Sequence, residues 1–353
     1  MPIKFVPPRI FRIAIMLLVA VSAALATAFA GGHIPSALAT ATQPPTDWSF
    51  YVTAYDVNND LNDKNSLYTL GCNQGTYDAS HSPPVNSLVV LDFGVQNSSG
   101  SATIATFSGA TFTNAQIETM AETFSKEYYI CTGTDHTSVL TLGLGTNNSV
   151  KYSDSTYTTL GSDWANVVSA VIAYNNGSGV HSQVTVWGAN DLEDWINPGD
   201  NFIIPSDQTT AWVNGYSSLD PAPYVNYGSA NGCPTSGYAN LNCDVFDGTT
   251  YNQYDYWWYS WGANPALVTP EIYSSSMAQQ WTQISLYDKH YKLNNMRFQA
   301  PWDENDINTS TLTSGQAWSD LWNDLNNAGV IATMYDSAQI HCQYGVVNGR
   351  CQT

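Results

Sequence analysis

The sequence predicts an α/β fold, a single (β/α)8 TIM-like barrel with elaborated loops and disulfides. Three observations carry that expectation. Eight short runs rich in β-branched and aromatic residues are mostly separated by segments of helical periodicity. Their spread over roughly 300 residues suits such a barrel. Several runs end in a carboxylate, and the reactive groups of these barrels sit at the C-terminal ends of strands. A doubly wound open sheet is the runner-up. It lacks a Gly-rich phosphate turn: Gly143-Leu144-Gly145 has neither the third glycine nor a basic partner.

Lys4, Arg9 and Arg12 precede an apolar and small-residue run from Ile13 to Ala30, with cleavage motifs at Ala28-Phe29-Ala30 and Ala37-Leu38-Ala39. Residues 1–39 read as a secretory signal peptide cut near 30 or 39. The alternative is a retained anchor, because the run is about long enough to span a bilayer; two small-x-small sites favour cleavage. Residues 40–47 form a Thr/Pro/Ala-rich linker, and 48–353 the barrel domain.

The first strand is Phe50 to Asp56, followed by a polar connection carrying Cys72. Ser87 to Gly94 is the second, its nearly continuous apolar run suiting a strand covered on both faces. A helix over 114–129 opens on the capping box of Thr113 and Gln116 and buries Ile117, Met120, Ala121, Phe124 and Tyr128. Val139 to Gly145 is the third strand, and a helix from Asp163 to Tyr174 turns Trp164, Val167, Val168 and Val171 inward. Val184 to Asn190 is the fourth strand and opens into Asp191, Glu193 and Asp194. A helix over 208–216 leads to the fifth, Pro223 to Gly228. Tyr251 to Trp261 reads as an aromatic-rich helix stopped at Gly262, before the sixth strand, Ala266 to Tyr273. Ser276 and Gln279 cap a helix with Met277, Trp281 and Ile284 on one face. Met296 to Trp302 is the seventh strand. Thr313 and Gln316 cap the last helix, with Trp318, Leu321, Trp322 and Leu325 inward, and Val330 to Asp336 is the eighth strand. The pattern shows one domain with no internal repeat and no inner linker.

The chain carries ten basic and 29 acidic residues, a net charge of −19. Removing the leader leaves seven basic against 29 acidic residues, or −22. Such a chain is repelled by nucleic acid and by anionic lipid, so neither partner is expected, and a monomer is. Charged residues make up only 11%. A neutral, hydroxyl-rich ligand suits that surface, and adaptation to an acidic extracellular setting is compatible with it. Six cysteines in an exported chain imply disulfides rather than a metal cluster, with 15 pairings open. Short loop closure favours Cys233 with Cys243 and Cys342 with Cys351, leaving Cys72 for Cys131. With no CxxC and no His-x-x-x-His, neither a metal nor a cofactor is expected.

Reading off the strand ends gives Asp56, Asp92, the Asn190/Asp191/Glu193 group, Glu271, Gln299 and Asp336. Glycoside hydrolysis needs two carboxyls, one protonated as general acid and one ionised as nucleophile or base. Burial beside Trp187, Trp195 or Trp302 would keep one protonated. The leading pair is Glu193 as acid and Glu271 as nucleophile or base, with Asp191 tuning Glu193. Asp191 as the acid, and Asp56 or Asp92 as the base, stay open. Glu271 follows Pro270 in an apolar strand, where an inward carboxylate is costly without a partner or a task. For Asp56, Asp194 and Asp336, helix capping or loop bracing is the expected role. Trp164, Trp281, Trp318 and Trp322 lie on helix faces and read as packing. Trp187, Trp195, Trp302, Tyr55, Tyr227 and Tyr273, with Asn190, Asp56 and Gln299, form the expected ligand-facing set. No Ser or Cys nucleophile sits in a recognisable elbow, so triad hydrolysis has no support.

Leu91-Asp92-Phe93-Gly94, Gly188-Ala189-Asn190-Asp191-Leu192-Glu193, Ala211-Trp212-Val213-Asn214-Gly215-Tyr216, Gly228-Ser229-Ala230-Asn231-Gly232-Cys233-Pro234 and Pro270-Glu271-Ile272-Tyr273 together resemble secreted bacterial proteins of the glycoside-hydrolase-like kind. The resemblance covers most of the chain after the leader and implies a barrel and export. Asp-x-Glu after the fourth strand is also similar to the acid-bearing strand of chitinase-like and muramidase-like hydrolases. Ala189 and Asn190 depart from their longer Asp-rich motif, so a substrate-assisted mechanism is not implied.

Two functions follow as expectations: a secreted glycosidase on a neutral or amino-sugar polymer such as a cell-wall glycan, or a non-catalytic extracellular carbohydrate-binding protein on the same scaffold. A peptidase would need a metal or nucleophile that the sequence does not offer. Carboxyl separation at the mouth discriminates: roughly 5 to 10 Å between facing acids fits hydrolysis.

Overall fold

Parallel strands require crossovers, and the alternation of apolar runs with amphipathic segments supplies them. The computed structural model describes residues 42–352 except 99–101, 105–107, 151, 195, 198–201, 244–250, 305–309 and 348–349. The expected signal peptide, residues 1–39, and Trp195 lie outside the described residues. Eight parallel strands, β1 (Thr46–Tyr51), β2 (Ser87–Gln96), β3 (Leu140–Asn147), β4 (Val184–Asp191), β5 (Tyr224–Asn226), β6 (Ala266–Val268), β7 (Trp302–Asp303) and β8 (Ser337–Cys342), form the body of one curled ten-stranded sheet, to which Ala102–Ile104 and Thr111–Thr113 add an antiparallel extension beside β2. The order of the eight is β6-β5-β4-β3-β2-β1-β8-β7, and every neighbouring pair among them is parallel. The two end strands approach each other through parallel bridges between Val268 and Phe298 and between Glu271 and Trp302.

Seven helices follow the first seven strands: α1 (Leu67–Ser80), α2 (Asn114–Cys131), α3 (Asp154–Ser178), α4 (Ser206–Leu219), α5 (Gln253–Trp257), α6 (Ser275–Tyr287) and α7 (Ser314–Asn327). Wider π turns extend α5 to Gly262 and α6 to Lys292. Among the described residues no helix follows β8; a short hairpin, Val346–Val347 with Arg350–Cys351, stands there instead. None of the described helices is long and apolar enough to cross a membrane.

All ten residues of β2 are buried, as its continuous apolar run implies. Leu88, Val89, Val90, Leu91 and Phe93 each contribute about 1.5–3 kcal/mol relative to exposure. The sheet's inner face is filled by Leu88, Val90, Ala189, Val225, Tyr227, Ala300, Trp302, Ala338 and Ile340, drawn from β2, β4, β5, β7, β8 and the residues just before β7. The capping boxes of Thr113 with Gln116 and Thr313 with Gln316 form as expected. For α6 the cap is Ser274, not Ser276.

Several boundaries differ from the sequence reading: α3 begins at Asp154, not Asp163, β6 stops at Val268, and β7 is Trp302–Asp303, not Met296 to Trp302. Three further differences bear on the framework. β1 begins at Thr46, so the last two residues of the expected linker belong to it. Its polar residues stand in for missing ladder partners: Asp47 Oδ2 and Ser49 Oγ accept the backbone N–H groups of Leu88 and Val90, each at 2.8 Å. β8 lies at Ser337–Cys342, not 330–336. The more apolar run is only an extended approach whose Tyr335 and Asp336 N–H groups bond to the Gln299 carbonyl, at 3.2 and 3.3 Å. Third, α1 occupies the supposed polar connection. Its Gly71 and Gly75 mark a close crossing with α2: a Cβ there would lie 2.4 Å from the Phe124 carbonyl oxygen and 2.3 Å from that of Tyr128. Cys72–Cys131 joins the same two helices. Cys233–Cys243 and Cys342–Cys351 complete the three disulfides, the pairing that loop length favours.

Candidate active site

Residues alternate across a strand, so Leu88 and Val90 on the inner face carry Asp92 inward at the C-terminal end of β2, and Ala189 carries Asp191 inward on β4. Asp92, Asp191, Glu271 and Glu304 are all buried, at 3, 7, 7 and 5% exposure, and Glu193 is half-buried. Burial is the largest influence on Asp191, followed by the charges of Glu193, Asp92 and Glu304, and its carboxyl is held well above the usual range. Glu271 is likewise pushed well up by burial, then by Glu193, Asp191 and Glu304. Burial raises Asp92 to about 6 against the opposing bonds from Gly94 and Tyr227. The four predicted acids thus converge, and Glu304 joins them.

Neighbouring loops fix the segment that bears Glu193. Asn226 Oδ1 accepts the N–H groups of Leu192 and Gly228, both at 3.0 Å. Asn148 Nδ2 donates to the Glu193 carbonyl at 2.9 Å. Ser229 donates its N–H to Glu193 Oε2 at 3.0 Å and its hydroxyl to the same oxygen. Burial raises Glu193, and the two Ser229 bonds hold it back. The Tyr273 hydroxyl donates to Glu271 Oε1 at 2.6 Å, and that of Tyr51 to Glu304 Oε1 at 2.5 Å. Tyr227 crosses beneath the acids, donating to the Thr146 carbonyl at 2.8 Å, and its ring lies 5.1 Å from that of Trp302. Both rings are buried, so they floor the mouth rather than face a ligand.

Gly145 and Gly228 make room for this arrangement. A Cβ on Gly145 would lie 3.0 Å from the Tyr227 hydroxyl oxygen, and one on Gly228 would lie 2.7 Å from Asp191 Oδ1. Asp191 Oδ1 itself is buried with no hydrogen-bond partner, as is Trp302 Nε1.

Other expected positions fall elsewhere. Trp187 lies on the inner-facing side of β4 but four residues before Asp191, about 13 Å nearer the opposite end. Asn190 alternates to the outer side of the same strand and is 1% exposed. Gln299 precedes β7 and sits at the entry end of β8 through its carbonyl; the exit of β7 is Asp303–Glu304. Tyr55, 44% exposed, and Asp56 follow β1 in an outgoing loop. Asp56 braces that loop, accepting from the Asn58 N–H at 3.0 Å and from the Tyr344 hydroxyl. Asp194 caps no helix: it is buried, accepts from the Tyr256 hydroxyl at 3.1 Å, and is raised to about 8 by burial and then by Glu193. Asp336 stands before β8, away from the mouth.

Sequence reasoning missed Glu304, Tyr51, Ser229, Asn148 and Asn226. Glu304 was visible as the second acid after Trp302, had the strand been carried past that residue. A separate groove of about 810 Å³ opens over the outer side of β1 and β8, between Trp48, Tyr77 and His341. No carboxylate lines it, unlike the mouth. Among the described residues no group of three or more His, Cys, Asp or Glu is arranged to hold a metal ion. Comparison with protein-family models, curated proteins and solved structures gives no match.

Proposed function

We propose that the chain is a secreted glycoside hydrolase whose sheet closes as a (β/α)8 barrel and whose mouth hydrolyses a polysaccharide through paired carboxyls. The end-strand bridges support closure, and the three disulfides suit an oxidising, extracellular setting. The observation that carries the reaction is the unequal treatment of Glu193 and Glu271 at one mouth. Glu193 receives two donors from Ser229, which favour its ionised form. Glu271 is more deeply buried beside three other acids and receives one, so it keeps its proton.

Those bonds favour the reverse of the roles expected from sequence. Glu271 is the general acid that protonates the departing glycosidic oxygen, and Glu193 the nucleophile or the base that activates water. Asp191 stays neutral behind Glu193 and limits how much negative charge the mouth holds. Tyr273 orients Glu271 through one oxygen and leaves Oε2 to carry the proton.

A glycan hydrolysis screen of the chain without its leader, beside Glu193→Gln and Glu271→Gln, tests this. Each substitution should lower kcat by roughly 10² to 10⁴-fold. Binding without turnover in all three proteins would instead establish the non-catalytic carbohydrate-binding reading.

A further inference from the structure

We infer that the exposed junction of α5 and α6 is a glycan-binding site outside the mouth, for an acidic polysaccharide that carries carboxylates on its sugar rings. A connected row of rings forms it. Tyr238 stacks on His290 with centroids 4.6 Å apart and meets Tyr291 at 6.4 Å. Tyr291 stacks on Tyr287 at 5.3 Å, Tyr287 meets Trp257 at 6.1 Å, and Trp257 meets Tyr254 at 5.6 Å. Tyr287 is buried and Trp257 half-buried, so these two root the row, while Tyr291 is 56% and Tyr254 37% exposed. The disulfide Cys233–Cys243 closes the loop that carries Tyr238.

The charge here is opposite in sign to that of the chain. Of the seven Lys and Arg beyond residue 39, Lys289, Lys292 and Arg297 fall within nine residues that also hold His290 and contain no acid, in a chain whose net charge is −19. His290, Lys292 and Arg297 are exposed, and Lys289 donates to the Gly329 carbonyl. Lys292 Nζ lies 4.7, 4.5 and 5.7 Å from the ring centroids of Tyr254, Trp257 and Tyr287, so a fixed positive charge stands among the rings. The acids of α5 and α6 are committed within the chain. Asp288 is buried and accepts Trp257 Nε1 and the Met296 N–H, each at 2.7 Å, and Asp255 accepts the Asn252 N–H at 2.9 Å.

Flat rings interleaved with exposed cations fit a sugar chain that bears acids. The C–H face of a sugar ring packs on Tyr291 and Tyr254, and its carboxylate takes a charge-assisted bond from Lys292. A neutral glycan uses the rings alone. At physiological salt, exposed charges more than about 8 Å away are largely screened, so a single strand lying on the row reads the local cations rather than the net charge. A bilayer or a nucleic acid presents far more negative charge to the acidic body around the row and is repelled by it. Ring contacts already order the row, so binding has little to immobilise.

The test is calorimetric titration of the chain without its leader with oligomers of glucuronic, galacturonic and mannuronic acid, beside their carboxyl-reduced counterparts. At least one acidic oligomer should bind about fivefold more tightly than its reduced form at low salt, a difference that shrinks as salt is raised. Lys292→Gln should remove most of that difference, and Lys292→Arg should restore it. Tyr291→Ala should weaken acidic and reduced oligomers alike, severalfold. Both side chains are exposed, so melting temperatures should hold. Equal or tighter binding of every reduced oligomer, no binding of any, or an acid preference that survives Lys292→Gln overturns the inference. So does tighter binding of phosphatidylglycerol vesicles or of a single-stranded oligonucleotide. None of these outcomes bears on hydrolysis at the mouth, which the Glu193→Gln and Glu271→Gln variants test.

Discussion

Ser229 donates twice to one oxygen of Glu193, through its backbone N–H at 3.0 Å and through its hydroxyl. Both bonds favour the charged carboxylate, so Ser229 sets how readily Glu193 ionises. Ser229→Ala keeps the first and removes the second. Glu193 should then titrate higher, because the lost bond favoured its ionised form. The acidic limb of kcat/KM against pH should move up with it. A limb that stays put would deny Glu193 the ionised role.

Tyr273→Phe removes the phenol that orients Glu271. On the proposed roles the Glu271 proton then loses its fixed direction, and Glu271 rises further because the Tyr273 bond had lowered it. The expected result is a fall in kcat of roughly tenfold to a hundredfold with little change in KM. A change confined to KM would make Tyr273 a binding residue only.

Stability should fall as pH rises. Asp92 and Asp255 are raised to about 6, Asp336 to about 7 and Asp194 to about 8, in each case chiefly by burial. A carboxyl with a raised folded pKa binds its proton more tightly in the folded chain. Its stabilisation is complete below the ordinary carboxylate range near 4 and is lost as pH passes through 6 to 8. Denaturant midpoints at about pH 4.5, 6 and 8 should decrease in that order. A midpoint that climbs over this range would contradict the burial of these groups.

Helix crossings depend on absent side chains. A Cβ on Gly161 of α3 would lie 2.0 Å from the Trp212 carbonyl oxygen of α4, and one on Gly215 of α4 would lie 2.0 Å from that of Thr158. Both obstacles are backbone and cannot rotate away. Gly161→Ala and Gly215→Ala should each destabilise by about 1–3 kcal/mol, visible in urea melts. Gly177→Ala is the control, because nothing lies within 4 Å of its Cβ position.

Opening Cys72–Cys131, with both changed to Ser, frees a loop with a sequence separation of 59. Chain entropy alone predicts a loss of about 4 kcal/mol. Removing Cys233–Cys243, whose separation is 10, should cost about 3 kcal/mol on the same scale. Unfolding of the two double variants ranks them.

Much of this architecture was legible because periodicity reports burial. β2, β3 and β4 are long and inward on both counts, and their boundaries fell within two residues of the expected ones. β5, β6 and β7 shrink to two or three paired residues, because Pro223, Pro265, Pro270 and Pro301 interrupt the N–H ladder. β8 was misplaced because Ser337-Ala338-Gln339-Ile340 is less apolar than the run before it. Only the neighbours on either side, β1 and β7, make it a strand. Asp92, Asp191, Glu193 and Glu271 were legible as acids at strand exits. Ser229, Asn148 and Asn226 were not, since a polar residue in a loop carries no mark of what it will hold.

The pairing of β1 with β8 joins the domain's first strand to its last, and the C-terminal hairpin tightens the join. Gln343 Oε1 accepts the Thr53 N–H at 2.9 Å across a separation of 290 residues, and the Thr53 hydroxyl donates to the Gln352 carbonyl at 2.5 Å. β1 therefore acquires its second neighbour only once β8, near the far end of the described residues, has been made. Folding of this domain is timed by its final residues, and a truncation there leaves the earliest-made strand as an open edge.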